Sequence, residues 1–173
     1  MSDWYMLTLI GQDRPGIVAA VTKGLFEAGC NLGETSMLRL GNNFTIMMMV
    51  KSAAGPAALR TVLQQVVDDL ELILHIDVIE AELHRRPVPD VRILVHGADR
   101  AGIVAQVTGQ AAEAGLNILD LESDVGGTEM QPIYILQIEG LAAQGLDAIE
   151  QALAPLRAQG IKVDVVPIDT LIG

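Results

Sequence analysis

The residues best placed to do chemistry form one short run, Gly11-Gln12-Asp13-Arg14-Pro15-Gly16-Ile17-Val18, and its echo Gly97-Ala98-Asp99-Arg100-Ala101-Gly102-Ile103-Val104. Gly16 and Gly102 carry no side chain, so a small ligand could approach the backbone closely there. A helix that begins at such a turn offers free N–H groups and the positive end of its dipole to a carboxylate. Asp13 or Asp99 could meet an ammonium group, so the loop chemistry suits a zwitterion such as an amino acid. Asn31 and Asn117, which open the following strand in each copy, would add an amide donor and acceptor. The same residues also have a purely structural use, because Asp is a routine helix cap and Gly a routine turn residue. On residue chemistry alone both uses stand.

Other chemistries are poorly supplied. Gly97 to Gly102 imitates a dinucleotide fingerprint, but Asp99 stands where a glycine must admit the pyrophosphate, and no parallel α/β pattern follows. His75, His84 and His96 lack metal-ligand spacing, and Cys30 is the chain's single cysteine, with no partner thiol. Asp120, Glu122 and Asp124 alternate along one side of a strand and read as solvated charge, as does Asp68-Asp69 at a helix end. Met47-Met48-Met49 falls in a strand, where alternate residues face opposite ways, so at least one belongs to a core. No catalytic residue, metal site or cofactor is expected, and the chain reads as a non-enzyme.

The elements that must position these loops appear twice. Offset by 86 residues, 13 of the 21 positions from Gly11 to Asn31 are identical to those from Gly97 to Asn117, which points to duplication of one unit. In the first copy Trp4 to Ile10 reads as an apolar strand. Asp13 is expected to cap a helix by accepting the Gly16 N–H, with Pro15 in the first turn and Ile17, Val18, Val21 and Leu25 as its buried stripe. Gly29 ends that helix. Strands 31–40 and 44–50 flank the turn signal Gly41-Asn42-Asn43, a helix follows over 56–70, and a strand over 72–83 closes the unit. The second copy repeats the order with strand 91–96, helix 101–114, strands 116–125 and 133–139, helix 146–159 and strand 161–168. A longer turn, Gly126 to Pro132, separates its hairpin strands. Each unit therefore reads βαββαβ, an α+β ferredoxin-like fold with a four-stranded antiparallel sheet and both helices on one face. The expected domains are residues 1–84 and 91–173. A Pro-containing linker over 85–90 is short enough to keep them neighbours.

Composition narrows the partners. Lys and Arg number 11 against 22 Asp and Glu, a formal charge of −11, and five residues of the chain are aromatic. A surface this acidic repels a polyphosphate backbone and has few rings for base stacking, so direct nucleic-acid binding is not expected. No apolar run suggests a membrane span or a secretory leader, and one cysteine fits a reducing cytoplasm.

The Gly-x-Asp-Arg-Pro-Gly-Ile-Val run at 11–18, with Asn31 beyond its helix, resembles the ligand loop of the ACT domain family, small βαββαβ modules that commonly bind amino acids and regulate enzymes or transcription. The second copy matches apart from Ala101 in place of Pro15. Two such domains and little else are similar to the glycine cleavage system transcriptional repressor family. That resemblance implies an amino-acid-responsive regulator, glycine being one candidate ligand, acting through a protein partner such as a DNA-binding regulator, and a homo-oligomer. It implies Asp13, Arg14, Gly16, Ile17 and Asn31 as ligand-site residues, and Asp99, Arg100, Gly102, Ile103 and Asn117 by the same matching. The unequal copies leave room for a single working site. Two other readings stay open: a ligand-free oligomerisation module, and a regulatory piece related to ACT-bearing enzymes such as phosphoserine phosphatase or formyltetrahydrofolate deformylase.

Overall fold

A computed structural model of the chain describes residues 3–80, 87–98, 102–128 and 131–168. The polypeptide divides into two units, Met1–Arg85 and Arg86–Gly173. The first runs β1 (Asp3–Gln12), α1 (Ile17–Glu27), β2 (Asn31–Leu40), β3 (Asn43–Ser52), α2 (Pro56–Asp69) and β4 (Ile73–Ile79). The second runs β5 (Val91–Ala98), α3 (Ile103–Glu113), β6 (Leu116–Thr128), β7 (Gln131–Ala142), α4 (Leu146–Ala158) and β8 (Lys162–Pro167). The expected βαββαβ order holds in both. Residues 81–83 of the closing strand lie outside the described residues.

Each unit carries one four-stranded antiparallel sheet, in the order β2-β3-β1-β4 and β6-β7-β5-β8. Alternation along β1 sends Tyr5, Leu7 and Leu9 to one face, where β3 adds Phe44, Ile46, Met48 and Val50. Helices α1 and α2 close over that face with Ile17, Val21, Leu25, Leu59 and Leu63, which are buried. Val18, expected in the α1 stripe, is instead exposed at the first turn. The second unit builds a separate core in the same way from Val91, Ile93, Val95, Leu136 and Ile138 beneath α3 and α4. Met48 is the core member of the methionine triplet.

The edge strand β2 departs from simple alternation: nine of its ten residues are exposed and one is half-buried. It lies one strand beyond the pair that the helices cover, so its inward residues meet solvent rather than a core. A bulge between Leu32 and Thr35, matched by one between Ile118 and Asp120 in β6, bends each edge strand. The hairpin of the second unit is longer by paired strand, not by loop. Gly126, Gly127 and Thr128 pair with Ile133, Pro132 and Gln131, which replaces the expected Gly126–Pro132 turn.

Asp90 ties the start of the second unit down. Its carboxylate accepts the Ala142 N–H at 2.9 Å, its own N–H donates to the Gly140 carbonyl at 2.9 Å, and its carbonyl accepts the Ile168 N–H at 2.9 Å.

Candidate ligand-binding site

The chain turns from β1 into α1 through Asp13, Arg14, Pro15 and Gly16. Gly16 is the N-cap residue, at φ 92°, ψ −6°, a left-handed conformation that costs an L side chain about 1–2 kcal/mol. Nothing lies within 4 Å of where its Cβ would sit, so backbone conformation rather than crowding calls for glycine. Gly102 repeats the geometry at φ 88°, ψ 1° before α3. No side chain caps either helix.

That corrects the expected role of Asp13. Instead of accepting the Gly16 N–H, its carboxylate pairs with Arg39 Nε at 2.9 Å, and its backbone N–H donates to the Asn42 carbonyl at 2.9 Å. A left-handed residue at the cap swings the preceding chain away from the helix axis, so Asp13 faces the β2–β3 hairpin rather than the first turn. Pro15 accordingly sits in the turn ahead of the helix, not in its first turn. Arg14 reaches across to Glu71 at 2.9 Å and to Gln12 at 3.5 Å. Both charges of the loop are thus engaged by side chains that still see solvent.

Because the cap supplies no acceptor, the first N–H groups of α1 have no intrahelical or side-chain partner; the helical ladder begins with Ala20 N–H donating to Gly16 at 2.9 Å. They open on a pocket of about 320 Å³ lined by Asp13, Arg14, Gly16, Ile17, Val18 and Ala19, with Met37 and Phe44 completing the wall. An uncapped helix end, a carboxylate at the rim and an apolar floor can receive, respectively, a carboxylate, an ammonium group and a small side chain. The Asp13–Arg39 pair is partly exposed, at 30% and 59%, so sharing its carboxylate with a ligand costs little.

Four of the sequence-chosen residues, Asp13, Arg14, Gly16 and Ile17, come together here. Asn31 does not. It pairs with Lys51, whereas the loop end of the same ladder is marked by Arg39 opposite Phe44 and Gly11 opposite Phe44. Seven residue steps along β3 separate the two positions, about 23 Å of strand. Asn117, paired with Leu141, is likewise remote from Gly97, paired with Tyr134. Within its own unit each asparagine thus lies at the far end of the sheet from the loop, because the helix returns the chain there before the next strand starts. Gly102 and Ile103 take the same positions at α3 as Gly16 and Ile17 at α1, while Asp99 and Arg100 lie outside the described residues.

Sequence reasoning missed Arg39, Met37 and Phe44. The signal was present in the Gly41-Asn42 turn, because a two-residue hairpin loop places Leu40 opposite Asn43 and therefore Arg39 opposite Phe44. His75 is exposed in β4 and His96 half-buried in β5, and His84 lies outside the described residues. Among the described residues no group of three His, Cys, Asp or Glu side chains could hold a metal ion, and no helix is long and apolar enough to cross a membrane.

Comparison with known proteins agrees with this architecture. The ACT domain family model matches residues 5–77, the whole run from β1 into β4. A UPF0237 protein of Methanopyrus kandleri is 34% identical over 86 residues, an alignment covering 46% of this chain and 94% of that protein. The chain belongs to the ACT domain proteins and carries the βαββαβ unit twice. Along nearly its full length it is similar to the glycine cleavage system transcriptional repressor of Escherichia coli, with 28% identity over 167 residues, 91% of this chain and 87% of that one. The crystal structure of an unknown protein from Galdieria sulphuraria shares the fold over 98% of this chain and 100% of its own, with a TM-score of 0.79 at 19% identity.

Proposed function

We propose that this chain is a non-enzymatic regulator whose activity toward a protein partner responds to a small amino acid bound at the β1–α1 loop. One observation carries the reading: the uncapped end of α1 opens on a pocket with the Asp13 carboxylate at its rim. The ligand's carboxylate takes the N–H groups after Gly16, and its ammonium shares Asp13 with Arg39. The apolar wall of Met37 and Phe44 would meet the ligand's side chain, and glycine is one candidate. The second loop, through Asp99, Arg100, Gly102 and Ile103, is a candidate for the same role by its repeat. Asn31 does not line this pocket.

The similarity to a transcriptional repressor supports a regulatory role in amino-acid metabolism, in the cytoplasm. The formal charge of −11 disfavours a phosphate backbone and favours contact with another protein, such as a DNA-bound regulator. A thermal-shift screen of the common amino acids tests the ligand. At 100 times its dissociation constant a specific ligand stabilises by about 2.7 kcal/mol, several degrees in a domain of this size. A screen in which no amino acid raises the melting temperature refutes the sensor and leaves a ligand-free interaction module.

A further inference from the structure

All four helices end the same way, in a residue of left-handed backbone that turns the chain out of the helix. Glycine holds that position after α1, α3 and α4: Gly29 at φ 72°, Gly115 at φ 81° and Gly160 at φ 83°. After α2 it is Glu71, at φ 53°, the one non-glycine residue with positive φ among the described residues. The turn is otherwise the one that Gly160 makes. Leu72 N–H donates to the Val67 carbonyl at 2.8 Å, as Ile161 N–H does to that of Leu156 at 3.2 Å. Nothing within the turn calls for glutamate. A left-handed L residue is strained, and Glu lacks the short side chain by which Asn or Asp tolerates it. The Glu71 side chain is 78% exposed, so it adds no core packing.

What the glutamate does touch is the candidate ligand loop. Ile10 pairs with Ile73, so β4 starts beside the end of β1 and sets Glu71 against the β1–α1 loop. Its Oε2 accepts from Arg14 Nη2 at 2.9 Å, the same nitrogen that reaches Gln12 at 3.5 Å. Arg14 Nε and Nη1 have no partner among the described residues, and Arg14 lines the pocket at the start of α1. We propose that Glu71 is a positioning residue for amino-acid binding: it holds Arg14 by one edge and so fixes a cation at the rim for the ligand's carboxylate. This rests on the ligand reading above and adds a second positive group beside the open end of α1. A free arginine samples many rotamers, and ordering it on binding costs affinity; one already tied down avoids that cost. Backbone strain is thus kept at Glu71, where a side chain is needed, and is absent at Gly160, which has no side chain to offer.

Glu71→Gly in the full chain separates stability from binding. Followed through Trp4 fluorescence, the variant should melt no lower than the wild type, because relief of strain outweighs one exposed ion pair. Its affinity should nevertheless fall about three- to tenfold in calorimetric titrations with each of the common amino acids. A residue that merely supports the fold does not set stability and affinity in opposition. Glu71→Asp keeps the carboxylate and tolerates the turn, so its affinity should stay within about twofold of the wild type. A Glu71→Gly chain that binds as tightly as the wild type overturns the inference, as does one whose affinity and melting temperature fall together. So does a Glu71→Asp chain that binds no better than Glu71→Gly. A wild-type chain that binds no amino acid refutes the ligand reading itself, and this inference with it.

Discussion

Two residues of the loop separate shape from chemistry. Gly16 holds φ 92° with open space around its missing Cβ. Gly16→Ala should therefore destabilise the first unit by about 1–2 kcal/mol through backbone strain, read as a lowered midpoint in urea. Asp13→Ala removes only a partly exposed ion pair, so stability should fall by less than about 1 kcal/mol, while any amino-acid-induced rise in melting temperature should vanish. An Asp13→Ala protein that still shows the full ligand shift would remove Asp13 from the site. The sequence singled out four residues that meet at this pocket, Asp13, Arg14, Gly16 and Ile17, and misassigned the structural role of Asp13. Asp-x-x-Gly before an apolar stripe reads as a side-chain cap, and only the left-handed backbone at Gly16 turns Asp13 toward Arg39.

The elements were legible in order because the periodicities of two and 3.6 are strong in the core strands and helices, as with Tyr5, Leu7 and Leu9 or Ile17, Val21 and Leu25. What was not legible depends on pairing. Leu32, Met37, Leu38 and Leu40 make β2 look half-buried, yet its place at the edge leaves them in solvent. The position of Asn31 is a register fact, and a run of residues does not reveal which end of a neighbour it meets. Register also defines a close approach that invites a test. A Cβ at Gly140 would run into the Asn117 carbonyl oxygen, beside the β6 bulge, where backbone rather than a flexible side chain must yield. Gly140→Ala should cost about 1–3 kcal/mol and raise hydrogen exchange along the β6–β7 ladder, with α4 much less affected.

At the scale of the molecule the two cores share no member, and the chain's one tryptophan, Trp4, lies in the first unit. Tryptophan fluorescence should thus follow the unfolding of the first unit, while far-ultraviolet circular dichroism follows both. Leu153→Ala, in the second core, should destabilise that unit by about 2–5 kcal/mol and shift the dichroism transition ahead of the fluorescence one. Coincident transitions in that variant would show that the units unfold as one. The duplication itself was plain in the sequence, since 13 of 21 positions agree between the loops. One difference between the copies was not plain, because only register sets Met6 beside Met49 in the first sheet and Arg92 beside Glu139 in the second.

The three hydrogen bonds of Asp90 bear on how the protein can be taken apart. A fragment begun at Val91 leaves the Ala142 N–H and the Gly140 carbonyl to water, and removes the partner of Ile168 at the end of β8. One begun at Pro87 keeps all three. The natural cutting point therefore lies upstream of the prolines, and a second repeat expressed alone should hold its shape only if it carries residue 90 with it.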